Sequence, residues 1–490
     1  MPLRVLSCSL AFAAAQIGLL LLPAGSLAQP LVDNKMPGRP DFDFRDEQRM
    51  RAMRDGKSRV GGPEAEKNAA AIRATAEYFI YAVNSSKFYG FESGDGQLKR
   101  REQNDYLDAV FTELRRYLLI PTADSRLTTD QAEYIAKFGE ALDEAIRTML
   151  ASRHPIVRVN AARALAVAAE SGAPAHAVTI TKLLTDPKTR PEVLLYAYKA
   201  TAKLLAAYDP LAARNPDPYR HSLKDEQLVP LIQALEAHIL KNPPVAAHVA
   251  IPPPKPQPPD LPAPAAADDR DQGRLDASSL TSEQIAVIRY FRREAVRALA
   301  EVRYDIVGGK NEIPEVRPAF TLALVASSSP SISPGVTTIE VADAVVGLLR
   351  MAPSSKLNID ELAQVIAAGL TTIVQAKGVR GAEPATPEDH LISWKLLAAR
   401  LAQAFATWRN NINRYPRALA FQELIRNFSD VAMTEVVARL DRDAPMGLGG
   451  GININRINEW RNRNKPKDPG RSLFNDSPQY KVFRPDAEGA

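Results

Sequence analysis

Residues 154–172, HPIVRVNAARALAVAAESG, decide the fold class. Pro155 suits a first helical turn, where its missing N–H costs nothing and its fixed φ is already helical. Gly172 suits a helix end, where a left-handed residue stops the chain. Between them Val157, Ala161, Ala164 and Leu165 recur at helical intervals and form a face of short apolar side chains. Short side chains let helix axes approach closely. One such helix cannot bury enough area to offset its own ordering entropy, so it requires neighbours.

A second copy begins 36 residues later, at Pro191. Pro155, Val157, Ala161, Ala164 and Ala166 match Pro191, Val193, Ala197, Ala200 and Ala202, and Arg163 matches Lys199. Residues 295–302, AVRALAEV, echo the Ala-x-Arg-Ala-Leu-Ala of 161–166. On Pro155, Val157, Arg158, Ala161, Ala164 and Leu165 this pattern resembles HEAT-type repeats. His154 stands where that family commonly has an acidic residue, and Arg158 becomes Leu194 in the second copy. The resemblance covers residues 140–207 and, more thinly, 280–303. It implies an all-α fold, an irregular α-solenoid of antiparallel helix pairs whose shared faces make a continuous core. A helical body without solenoid curvature is the other architecture the residues allow.

The rest of the chain is helical in pattern. Tyr106, Val110, Leu114 and Leu118 suggest one buried stripe, and Asp130 with Glu133 suggests a capping box. Thr281 with Gln284 suggests another, Gly378 a C-cap, and Thr386 with Pro387 a further helix entry. Sustained period-two alternation flanked by hairpin turns is missing, so no sheet is expected.

Composition sets the frame. The chain has 490 residues, 45% hydrophobic, with 38 prolines and 7% aromatics, which fits aliphatic helix contacts joined by proline-rich connections. Residues 1–28 read as a signal peptide: MPLR, then apolar 5–22, then SLA, with cleavage expected after Ala28 and export to the periplasm or outside the cell. An uncleaved membrane anchor is the alternative. Cys8 is the sole cysteine, so a processed chain has no disulfide, thiolate metal site or cysteine nucleophile. The expected layout continues with a mobile segment at 29–62 and a helical repeat region at 63–242. A proline-rich loop or linker follows at 243–277, with ten prolines between 242 and 264. A second helical repeat region spans 278–443, and a basic, Gly/Asn-rich mobile tail 444–490.

Catalytic motifs fail one by one. The six histidines show no metal-ligand spacing on one helix, and there is no G-x-S-x-G elbow. FESGDGQLKRRE, 91–102, has the length of a calcium loop but offers Phe91 at its first position, so a helix-entry turn is preferred. MGLGGGINI, 446–454, lacks the lysine and hydroxyl of a phosphate loop and reads as a hinge. No cofactor and no metal are expected. The formal charge of +5 is concentrated in 451–484, where eight basic residues face three acidic ones.

The expected function is therefore an exported, non-enzymatic scaffold that binds another exported or envelope protein. Arg158, Arg163 and Lys199 are the candidate contacts, with plain solvation as their alternative role. The tail residues Arg456, Trp460, Arg461, Arg463, Lys465 and Lys467 form a second candidate set, suited to anionic lipid or cell-envelope polymer, with a tail that packs its aromatics back on the body, or has no specific role, as the alternative. Export argues against nucleic acid. An enzyme site assembled from distant helices is the third reading.

Overall fold

The two copies of the repeat lie against each other. The structure, a computed structural model, describes residues 44–84, 96–119, 127–207, 223–241, 280–378, 392–413, 419–440, 454–465 and 472–482. It is all-α: among these residues the only β features are isolated bridges. The expected signal segment 1–28, the stretch 243–277, the glycines of 446–452, Thr386 and Pro387 lie outside the described residues. The chain divides near residue 223 into two units.

The first unit comprises α1 (Phe44–Arg54), α2 (Ala65–Asn84), α3 (Gly96–Leu118), α4 (Thr129–Leu150), α5 (Pro155–Ala168), α6 (Ala175–Thr185) and α7 (Pro191–Ala206). Successive helices pair, α2 with α3, α4 with α5 and α6 with α7. Across pairs α2 meets α4 and α4 meets α6, while α3 meets α5 and α5 meets α7, giving two layers of three. The matched repeat positions share their burial: Val157, Ala161 and Ala164 are buried, and so are Val193, Ala197 and Ala200. Ala166 and Ala202 are both half-exposed. Gly172 has φ +73° and stops a 3-10 extension of α5 at Ala169–Ser171.

Three expectations are corrected here. Residues 44–62 are not a mobile segment: Met50 and Met53 of α1 are fully buried, and α1 packs on α2, α3 and α4. The buried stripe of α3 runs through Leu107, Phe111, Leu114 and Leu118, because Tyr106 and Val110 fall on its half-exposed flank. Residues 96–102 belong to α3, in keeping with the helix entry preferred there over a calcium loop. The capping box of α4 is Thr128 with Gln131, two residues before the expected pair, because Thr128 alone has the extended backbone an N-cap needs.

The second unit comprises α8 (Asp225–Leu240), α9 (Ser282–Leu299), α10 (Pro318–Ala326), α11 (Thr338–Arg350), α12 (Ile359–Gly378), α13 (Trp394–Asn413), α14 (Leu419–Ala432) and α15 (Ile454–Arg463). The boundary expected at 242 moves accordingly: α8 packs Leu228, Leu231, Ile232 and Leu235 into this unit, against α9 and α10. Thr281 and Gln284 cap α9 as expected. The helix expected to enter at Thr386 begins at Trp394, since Ile392 and Ser393 are non-helical and the Ser393 carbonyl accepts the Leu397 N–H. α11 is the centre of the unit. It touches α9, α10, α12 and α13, and every residue from Val341 to Leu349 is buried.

Glycines mark points of close approach between segments. A Cβ on Gly139 would lie 2.5 Å from Ala173 Cβ, one on Gly347 2.7 Å from Ala300 Cβ, and one on Gly369 2.6 Å from Val345 Cγ2. The mobility expected of the tail is corrected too, and its aromatics follow the alternative of packing on the body. α15 lies on α12 and α14 with Ile457 and Trp460 buried. Residues 472–482 form a strap in which Leu473 and Phe474 are buried, the Asn358 N–H donates to the Leu473 carbonyl (2.8 Å) and the Asn475 N–H to the Lys356 carbonyl (2.8 Å). Arg317 lies over the Phe474 and Tyr480 rings, 4.4 and 4.5 Å from their centroids, and pairs with Asp476 (2.9 Å). Those aromatics, exposed in an isolated tail, are better satisfied against the body. No helix among the described residues is long and apolar enough to cross a membrane.

Two predictions follow from this packing. Alanine is the better helix former by about 1 kcal/mol, yet Gly139→Ala and Gly347→Ala will each destabilise, because overpacking costs about 1–3 kcal/mol. Gly335→Ala, with nothing within 4 Å of its would-be Cβ, serves as the control. Urea midpoints unchanged in the first two variants would refute the close approach. The second concerns pH. Burial pushes Glu236 up to about 7, against the hydrogen bond it accepts from Thr321 (3.0 Å). Burial likewise pushes Asp305 up to about 6, although Ser354 donates to it through its N–H (3.0 Å) and Oγ (2.7 Å). Both carboxyls keep their protons to higher pH folded than unfolded. Their effect is therefore a loss of stability as pH rises from the ordinary carboxylate range through about 7. Glu236→Gln should raise the thermal midpoint at pH 8 and leave it unchanged at pH 4; equal shifts at both would contradict the assignment.

Candidate functional site

In the first unit the outer side of the α3, α5 and α7 layer gathers the basic residues singled out in the sequence. Arg163 on α5 extends over Phe111 of α3, its guanidinium carbon 5.3 Å from the ring centroid. Lys199, its counterpart on α7, is exposed and lies 5.2 Å from the Tyr196 ring. Arg158 is different. It ties down the turn before α5 by donating to the Ser152 carbonyl (3.1 Å). Burial and then the like charge of Arg190 lower its pKa. Sequence reasoning missed the rest of this row. Arg115 of α3 grips Glu170 with two donors (2.9 and 3.3 Å), and Lys203 of α7 approaches the same carboxylate at 3.6 Å. Lys203 lies one helical turn beyond Lys199, and that spacing was the available signal.

The tail residues are distributed otherwise. Trp460 is buried with its ring centroid 4.4 Å from that of Phe428. Arg456 pairs with Glu435 (2.8 Å), Arg463 with Glu459 (3.1 Å), and the Arg461 carbonyl accepts from Gln364 (3.3 Å). Lys465 is exposed, and Lys467 lies outside the described residues. The aromatic part of the expected polyanion surface is therefore spent on the body, because an indole gains more from burial than from water.

Two buried polar centres each tie together helices that are distant in sequence. In the first unit Asp143 of α4 faces His176 of α6, Oδ1 to Nδ1 3.4 Å, and accepts from Thr179 Oγ1 (3.0 Å) and from Arg147 (3.0 Å). An Asp–His pair suggests acid–base work. Here the hydroxyl bonds to the carboxylate, not to the imidazole, and His176 is 0% exposed with its Nε2 turned toward Gly139 beside Ala173. A substrate has no room there, and the group functions as a clamp between α4 and α6. Among the described residues no group of three or more His, Cys, Asp or Glu could hold a metal ion.

In the second unit the centre is α11, whose TIEVADAVVGLL buries two carboxylates one turn apart. Burying an anion requires a paired cation with good hydrogen bonds. Glu340 receives both: Arg292 of α9 binds it through Nε (2.6 Å) and Nη2 (3.0 Å), and Thr337 donates through N–H (2.7 Å) and Oγ1 (2.9 Å). Arg292 spends its other donors on the carbonyls of Pro334 and Gly335. Asp343 is 0% exposed and receives Arg297 of α9 (2.9 Å) and Arg400 of α13 (2.7 Å), with Arg293 at 4.0 Å. Two acids inside an otherwise apolar helix, and the arginine-dense RYFRREAVR at 289–297, were the sequence signals for this centre. Arg292→Met, which strands Glu340 in the interior, should cost about 3–5 kcal/mol. Adding Glu340→Leu should recover most of that loss. Chemical unfolding curves read both, and an additive double variant would refute the clamp.

No family model, curated protein or solved structure matches the chain.

Proposed function

We propose that this protein is an exported, non-enzymatic helical scaffold of the HEAT-like kind, an α-solenoid that binds another envelope or exported protein along the outer side of the α3, α5 and α7 layer. The supporting observation is the stacking of the two repeat copies. α5 lies on α7 with matched apolar positions buried and the matched cations Arg163 and Lys199 left at the surface. Repeated pairs present an extended surface, which suits recognition of a macromolecule. Export rests on the sequence of residues 1–28, with cleavage after Ala28; retention of that segment as an anchor is the competing proposal. The reading of the tail as an envelope-polymer binder is weaker, since Trp460 is buried and Arg456 and Arg463 are paired. An enzymatic reading is also weaker, because the Asp143–His176 centre is closed.

The lone Cys8 makes the test simple. A processed chain has no thiol, so Lys199→Cys can carry a photoactivated crosslinker in the native envelope, with Glu133→Cys on exposed α4 as control. A discrete protein adduct from position 199 and none from position 133 supports the reading. Equal adducts from both, or none from either, would overturn it.

A further inference from the structure

The centre around Asp343 holds more cation than its carboxylates need. Arg292 and Glu340 cancel each other. That leaves the guanidiniums of Arg293, Arg297 and Arg400 against Asp343 and Glu294, the latter pairing with Arg297 at 2.9 Å. Arg297 and Arg400 between them reach both oxygens of Asp343. Arg293 is left over. Its side chain is only 20% exposed, its Nε is buried without a hydrogen-bond partner among the described residues, and its closest anion is Asp343 at 4.0 Å. An arginine Nε–H removed from water and given no acceptor is a costly arrangement.

The surroundings indicate what would complete it. Arg297 and Arg400 keep 36% and 37% of their side chains exposed, so the three guanidiniums meet at the surface and not in a sealed core. One turn before Arg400 on α13 lies Leu396, 60% exposed, one of three large apolar side chains left exposed among the described residues. An anionic group beside an apolar one matches this pairing of charge and leucine.

The geometry points to a carboxylate-binding site formed by Arg293, Arg297 and Arg400, taking an acidic side chain of a partner polypeptide with an adjacent apolar side chain on Leu396. Guanidinium forks match a carboxylate in two-point geometry. The surplus of one positive charge is cancelled by one carboxylate. Burial, and then the neighbouring Arg297, lower the pKa of Arg293, and an arriving anion would relieve both. The site belongs to the second unit alone and does not depend on the reading of the α3, α5 and α7 layer.

The test uses the full chain and a blocked peptide of alternating glutamate and leucine, with its glutamine–leucine counterpart and inorganic phosphate as comparison probes, followed by titration calorimetry. The acidic peptide should bind saturably and the glutamine peptide should not. Arg293→Gln should weaken the acidic peptide by about tenfold or more, the worth of a charge-assisted contact. Arg293 holds no hydrogen bond in the structure that the variant would lose, and a thermal midpoint no lower than that of the parent chain will verify that the fold is intact. Leu396→Ser should weaken the peptide and leave any phosphate binding alone. Undiminished peptide binding in Arg293→Gln would overturn the assignment, as would phosphate binding tighter than the peptide or no peptide binding at millimolar concentration.

Discussion

Packing in both units is so close that a hydrogen atom, and not a methyl group, is what fits at Gly139, Gly347 and Gly369. The rest of the architecture depends on that constraint. Dispersion falls steeply with separation, so short side chains at the seam give each helix more neighbours than long ones would. Ala173, Ala300 and Val345 form the other side of these contacts. The aromatic content is correspondingly low, and the rings present gather in small groups such as Phe405, Trp408, Phe428 and Trp460.

Close packing has an electrostatic consequence. A helix surrounded by four others, as α11 is, has no side on which a carboxylate can reach water. Glu340 and Asp343 are therefore held by arginines from α9 and α13, which fixes the lateral order of those helices as well as their distance. An apolar replacement would pack as well but would not discriminate one helix register from another. The Asp143–His176–Thr179 group does the same between α4 and α6. Both centres have the composition of active sites and the enclosure of structural ones. Enclosure decides the matter for Asp143 and His176, and the half-open arginines over Asp343 are the exception.

The end of the chain shows how much a tail can contribute to a fold. Arg317 meets Phe474, Tyr480 and Asp476 from a segment more than 150 residues away, and Asp476 is held at about 2 by hydrogen bonds from Arg317 and Lys356. Composition marks residues 451–484 as basic and solvated. Yet the acidic and aromatic residues of the strap find their partners on the body.

The sequence by itself determined the helical class, the capping of α9 by Thr281 and Gln284, and which positions of the repeated helix are buried. These are local matters: 3.6-residue periodicity, capping geometry and side-chain size act within a few turns and are written in adjacent residues. It could not place α8 with the second unit, bring Arg400 to Asp343, or fold Trp460 and Phe474 inward. Each of those depends on which surfaces meet in space, and apolar faces of similar composition do not name their partners. Tertiary packing alone decided them, because pairing energy belongs to two distant segments at once and to neither separately.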